Sequence, residues 1–194
     1  LHEYQGIPLL LNQQVQSVDE LQQALRATRK FLGGLPAETE WLELKHNQAI
    51  PQEIGEYISA LANAAALNGK AHGYLVWGVE DGSHRILGTR FDPATERRGN
   101  EPLESWLLRL LHPKLDFRFD AVDVEGQRVV ILEIERASRT PVGFNGTEYI
   151  RIGEVKKPLK EAPDRERHLW RIFDRTPFED LVAAERQDAD AVLS

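Results

Sequence analysis

ETEWLELK (Glu38–Lys45) and GYLVWGVEDG (Gly73–Gly82) are the two stretches around which the chain is organised. In the first, Trp41, Leu42 and Leu44 are apolar while Glu38, Glu43 and Lys45 are charged, the pattern of a core-seeking strand with ionisable groups at its edge. In the second, the almost unbroken apolar run from Tyr74 to Trp77, with Val79, suits a central strand buried on both faces. That run ends in Glu80, Asp81 and Gly82. If the two strands are neighbours, Glu38, Glu43 and Asp81 converge on one small volume, where three carboxylates repel unless a cation or protons neutralise them.

Between the two stretches, Pro51 at a first helical turn and Ile54, Ile58, Leu61 and Ala65 at helical spacing predict a helix that Asn68 and Gly69 end. A second stripe on it, Gly55, Ser59, Ala62 and Ala66, is small and points to close packing. Upstream, Ser17 and Glu20 form a capping box ahead of Leu21, Leu25 and Phe31, opening a leading helix that Gly33 and Gly34 close. Downstream, Asp81 and Gly82 signal a tight turn, with Ile86 and Leu87 starting a returning strand. Residues 91–101 read as a loop carrying Arg97 and Arg98. Trp106, Leu107, Leu110 and Leu111 give a helical face stopped by His112 and Pro113. Phe117, Phe119, Ala121, Val122 and Val124 before Glu125 and Gly126, and the apolar run 129–134 after them, predict a hairpin. Tyr149, Ile150 and Ile152 make a last strand closed by Gly153, with Arg151 pointing to the face opposite the isoleucines. Beyond Lys156, Lys157 and Lys160 the composition turns helical and charged. Leu169, Trp170, Ile172 and Phe173 form one apolar patch there, and Thr176, Pro177 and Glu179 open a final helix.

At 194 residues the chain has the length of one domain plus an extension, enough to bury roughly 70% of its unfolded surface. With 41% hydrophobic and 28% charged residues it is globular rather than disordered. No apolar stretch reaches the length of a membrane span, and the start carries no secretory pattern, so we expect a cytoplasmic protein with no membrane partner. Zero cysteines exclude a disulfide framework and thiolate chemistry. Zero methionines, even at position 1, lead us to expect a trimmed piece of a longer protein. A net charge of -7 argues against a uniformly basic surface but allows a local basic strip. There is no GxxxxGK[ST] loop, hence no nucleotide site in this stretch, and the six histidines lack ligand spacing.

The order ETEWLELK, IGEYISALANAAAL, GYLVWGVEDG with ILGT, and EYIRIG resembles the Schlafen-type AlbA domain, also called the divergent AAA domain. LESWL, PVGFNGTEYIRIG, KKPLKEAPDRERHLW and TPFEDLVA resemble a bacterial branch labelled as transcriptional regulators or ATP-binding proteins. The resemblance implies an α/β (α+β) fold, a single domain with a mixed β-sheet and flanking helices. We expect it over residues 36–160, between an N-terminal helical extension (1–35) and a C-terminal helical tail (161–194) leading to a missing downstream region. It also implies nucleic-acid binding, to RNA or DNA, and in Schlafen proteins a metal-dependent endoribonuclease with two glutamates and an aspartate. The matching positions here are Glu38, Glu43 and Lys45, with Asp81 as the aspartate and Glu80 its rival. On that implication Glu38, Glu43 and Asp81 hold Mg²⁺ or Mn²⁺ and Lys45 steadies the transition state. Where the family often has a short Asn-x-x-Gly-Gly connection, Asn63 is followed here by AAALNGKAHG. Since Schlafen proteins hold two such lobes, one lobe per chain implies a homodimer.

The favoured expectation is a nucleic-acid-binding module of a bacterial regulator, with Lys45, Arg151, Lys156 and Lys157 on phosphates and Lys160, Arg97 and Arg98 as further candidates. The alternative is the endoribonuclease. The same residues have plainer uses: Glu43 can pair with Lys45 or a backbone donor, Asp81 before Gly82 is a favoured turn residue, and a lysine-rich face can simply be solvated.

Overall fold

The computed structural model describes residues 39–80, 83, 85–124 and 126–174. The expected leading helix from Ser17 and final helix from Thr176 lie outside the described residues, as do Glu38 and Asp81.

Strand β1 (Leu42–Lys45), helix α1 (Pro51–Leu67) and strand β2 (His72–Trp77) form a βαβ unit, with β1 and β2 parallel and Leu42 opposite Tyr74. On its other side β2 pairs antiparallel with β7 (Gln127–Glu135), and β7 with β6 (Phe117–Val124), giving the order β1-β2-β7-β6. The apolar run of β2 is thereby explained, because the strand has neighbours on both edges and Gly73 to Trp77 are buried. Alternation along the strands sorts the side chains into two layers. Leu75, Trp77, Val130, Leu132 and Ile134 face α1 in the larger core, while Leu42, Leu44, Tyr74, Val76, Val129 and Ile131 form a second cluster on the far face.

A second sheet, of order β10-β9-β8-β5, is antiparallel throughout. It comprises β5 (Leu111–His112), β8 (Gly143–Phe144), β9 (Thr147–Ile152) and β10 (Val155–Pro158). Helix α1 packs against β2 of the first sheet and β9 of the second. That position accounts for its composition, since eleven of its seventeen residues are buried and it turns the small Gly55 and Ser59 toward the second sheet. At Gly55 a β-carbon would stand 2.2 Å from the ring of Phe144, so the small stripe is a close-packing surface. The helix ends where expected, with Asn68 donating to the carbonyl of Ala64 and Gly69 at φ +63°. Helices α2 (Leu103–Leu110) and α3 (Pro163–Asp174) contribute Leu103, Trp106, Leu107, Leu169 and Phe173 to the α1-side core. The architecture is thus a mixed α+β fold with flanking helices. Among the described residues no helix is long and apolar enough to cross a membrane.

Three local expectations are corrected. Ile86 and Leu87 do not start a strand: Ile86 makes one isolated bridge to Val79, after which Leu87 and Gly88 both donate to the carbonyl of Gly78 and the chain turns away. Arg97 and Arg98 lie in a two-residue ladder, β3 (Arg97–Arg98) against β4 (Glu101–Pro102), rather than in open loop. The strand holding Arg151 is not the last, because Gly153 at φ +58° turns the chain back into β10, where Lys156 pairs with Arg151.

Candidate functional site

Glu43 and Lys45 share the α1-facing side of β1, being two apart on a strand. The Glu43 carboxylate is buried at 3% exposure, and both its oxygens face cations. Oε1 meets the Lys45 ammonium, and Oε2 lies 2.5 Å from the Arg151 guanidinium. Arg151, 0% exposed, also donates through Nη1 to the carbonyl of Leu42 at 2.5 Å and to that of Thr39. It therefore clamps β1 of the first sheet to β9 of the second. Alternation gives the direction of Arg151 correctly, opposite Ile150, but the surroundings differ from expectation: what lies on that side is β1 and its carboxylate, not solvent. Arg151 is consequently withdrawn from contact with phosphates, and its charge is met inside the protein.

Lys45 and Lys156 stand 5.1 and 4.3 Å from the ring centroid of Tyr57, so the ring is shared between two ammonium groups. Lys156 also lies 2.6 Å from the Glu56 carboxylate. Two of the three lysines expected on phosphates, Lys45 and Lys156, are thus already engaged internally. Lys157 is half-buried and Lys160 exposed, and neither makes an ion pair with another described residue. Burial works against the Lys45 ammonium, but hydrogen bonding and charge attraction from Glu43 outweigh it and its pKa is raised. Burial, then the charge of Glu43, pushes the Tyr57 phenol up to about 12. Both folded-state values lie above the unfolded ones, so each group's contribution is complete below its unfolded pKa and is lost as pH rises through the folded one, which for Tyr57 is about 12. Urea midpoints should therefore fall through this alkaline window, with a shallower fall in Tyr57→Phe. An unchanged slope in that variant would remove Tyr57 from the linkage.

The divalent ion that the Schlafen resemblance implies does not fit at Glu43. Its two oxygens are taken by Lys45 and Arg151, which already neutralise it, and an ion there would have to displace both. No group of three or more His, Cys, Asp or Glu is arranged to hold a metal among the described residues. Glu38 and Asp81 lie outside those residues. The rival Glu80 is engaged locally: its carboxylate accepts from Ser83 and from Arg85 Nε at 3.0 Å, and these contacts lower its pKa.

Open clefts lined by described residues lie at the sheet ends. One, of about 350 Å³, is lined by His72, Asp116, Phe117, Arg118, Glu133 and Glu135 and is mainly acidic, with Arg118 drawn to Glu133 at 3.3 Å. Another, of about 370 Å³, opens where β1 and β2 end and is lined by His46, Asn47, Leu87, Gly88, Thr89, Arg90, Gln127 and Arg128. Its two arginines were not singled out from the sequence. One sits in a loop and the other opens a distant strand, so no linear pattern joins them and only the sheet topology does.

A βαβ unit extended into a mixed sheet, closed over α1 by a second small sheet and carrying a basic and an acidic cleft, defines a small α+β domain. The chain belongs to the Schlafen AlbA_2 family, whose model matches residues 38–160, more than half its length. A second model, the sucrose synthase EPBD domain, matches residues 1–50. In agreement with it, the chain is similar to sucrose synthase 2 of Hordeum vulgare, 41% identical over 54 residues. It is also similar to sucrose synthase isoform 1 of Daucus carota, 44% identical over 55 residues. Each match covers 28% of this chain and 6% of the relative, so the chain spans only a small part of the length of these curated relatives. The sequence reading, which saw only a leading helix there, missed that likeness. Among solved structures, the DIP2311 protein from Corynebacterium diphtheriae is similar at TM-score 0.46 and 18% identity, over 80% of this chain and 29% of that one. The N-terminal domain of a putative ATP-dependent DNA helicase RecG-related protein from Nitrosomonas europaea is similar at TM-score 0.44 and 22% identity, over 70% and 91%.

Proposed function

We infer that this domain is a nucleic-acid-binding module of a bacterial transcriptional regulator. Membership of the Schlafen AlbA_2 family across residues 38–160 carries that reading. The distribution of charge is compatible with it. Although the chain is acidic overall, exposed Arg90, Arg98 and Lys160 make no ion pair with another described residue, leaving cations for a phosphate backbone. Lys157 on β10 belongs to the same supply, whereas Lys45 and Lys156 are spent on Glu43, Glu56 and Tyr57. The endoribonuclease using Glu38, Glu43 and Asp81 is the weaker reading, because Glu43 is committed to Arg151.

The test is affinity for single- and double-stranded RNA and DNA as a function of salt. Each phosphate neutralised should contribute about -0.7 to -0.9 to the slope of log K against log salt, so a handful of contacts gives a steep line. Affinity indifferent to ionic strength would remove the phosphate-contact claim.

A further inference from the structure

His46 and Asn47 follow β1 directly, Leu87 to Arg90 return past the end of β2, and Gln127 and Arg128 open β7, so the cleft is walled by three strand ends. Its walls are tied together. Asn47 Oδ1 accepts from Thr89 Oγ1 at 3.0 Å and from the Arg90 amide at 2.9 Å, and the Thr89 amide donates to the Arg128 carbonyl at 2.8 Å. Gly78 and Gly88 hold the floor in left-handed backbone, where a β-carbon on Gly78 would stand 2.9 Å from the Arg128 carbonyl.

Among the described residues lining this frame the charge is one-sided: Arg90 is exposed and makes no ion pair with another described residue, and Arg128 pairs among the described residues with the partly exposed Asp92, at 3.3 Å. Such a solvated pair is worth little and gives way to a better acceptor. Glu80, which stands close enough to act on His46, is already occupied by Ser83 and Arg85. Leu87 adds an apolar surface, 38% exposed, among otherwise polar walls. Two guanidinium groups beside an aliphatic platform match a phosphodiester carrying a sugar and base.

We propose that this cleft seats one phosphodiester unit of a nucleic-acid strand, with Arg90 and Arg128 on the phosphate oxygens and Leu87 against the adjoining sugar or base. The inference rests on the nucleic-acid-binding reading above and locates it at the β1 and β2 ends rather than at Lys45 and Arg151.

The experiment measures fluorescence anisotropy of a labelled single strand of about a dozen nucleotides, as RNA and as DNA, across a salt series. Arg90→Gln/Arg128→Gln is expected to weaken binding roughly tenfold or more and to flatten the salt slope by about 1.4, two contacts at 0.7 each. Arg167→Gln/Arg171→Gln on α3 removes the same charge elsewhere and should keep the wild-type slope. All variants should melt as wild type does, since these four side chains are largely exposed. Strand binding by wild type with an unchanged slope in Arg90→Gln/Arg128→Gln overturns the cleft and leaves the function standing. No strand binding by wild type overturns both. Orthophosphate competing far beyond chloride of equal ionic strength would assign the cleft to a free phosphate and overturn the strand seat.

Discussion

Arg151→Met is expected to destabilise the domain by about 3–5 kcal/mol, with an unchanged m-value in urea. The magnitude follows from what the substitution leaves behind. Glu43 stays buried at 3% exposure with Lys45 as its remaining cation, and the carbonyls of Leu42 and Thr39 lose a charged donor. Lys45 softens the loss without cancelling it, because its ammonium is partly turned to Tyr57 and to solvent. Against a typical total stability of about 5–15 kcal/mol, this is a large fraction. The companion experiment removes both charges. Glu43→Leu/Arg151→Met should recover much of the loss, since replacing a buried pair by apolar side chains of similar volume is often near neutral. A metal ligand would behave otherwise, with stability of Glu43 variants following added Mg²⁺ or Mn²⁺ rather than the identity of residue 151. Wild-type stability in Arg151→Met, with nucleic-acid affinity lost, would return Arg151 to the binding surface.

The elements legible in the sequence are those whose burial is periodic or continuous. Leu42 and Leu44 alternate with Glu43, α1 repeats Ile54, Ile58, Leu61 and Ala65 along one stripe, and the β6-β7 hairpin shows as a turn at Gly126 ahead of the apolar run of β7, which is buried on both faces. The second sheet was harder to read. β5 and β8 are two residues each, too short to alternate, and β10 reads as a charged tail, VKKP, because its pairing is set by the turn at Gly153 and not by its own side chains. The site divides along the same line. Glu43 and Lys45 lie two apart on one strand, so their contact was readable, and it is present. Glu43 with Arg151, and Arg90 with Arg128, meet only through the stacking and order of strands, which no local pattern encodes.

The other large effect is expected at Asn63. It is fully buried in α1, and its side-chain amide donates to the carbonyls of Val142 at 2.9 Å and Tyr149 at 2.8 Å, while its oxygen accepts from the Val142 amide at 2.8 Å. Ser59 one turn earlier completes the arrangement, donating to the Val142 carbonyl at 2.7 Å and accepting from the Tyr149 amide at 2.9 Å. The need arises from the sheet. The β8-β9 pairing stops at Glu148, and beyond it the amide and carbonyl of Tyr149 on that edge of β9 are met by Ser59 and Asn63. Helix side chains thus stand in there for a strand. Asn63→Ala should cost about 3 kcal/mol, from a buried Val142 amide left unsatisfied together with the cavity. Asn63→Asp is the sharper variant. It keeps the acceptor for Val142 but turns a second oxygen toward two carbonyls, which a carboxylate tolerates only when protonated. Its folded-state pKa should thus be raised, so its stability is best in acid and declines as pH rises through that value. Urea denaturation of Asn63→Asp across acid to neutral pH reads this directly. Wild-type stability at neutral pH would mean the two carbonyls need no donor, and the helix would not be acting as the missing strand.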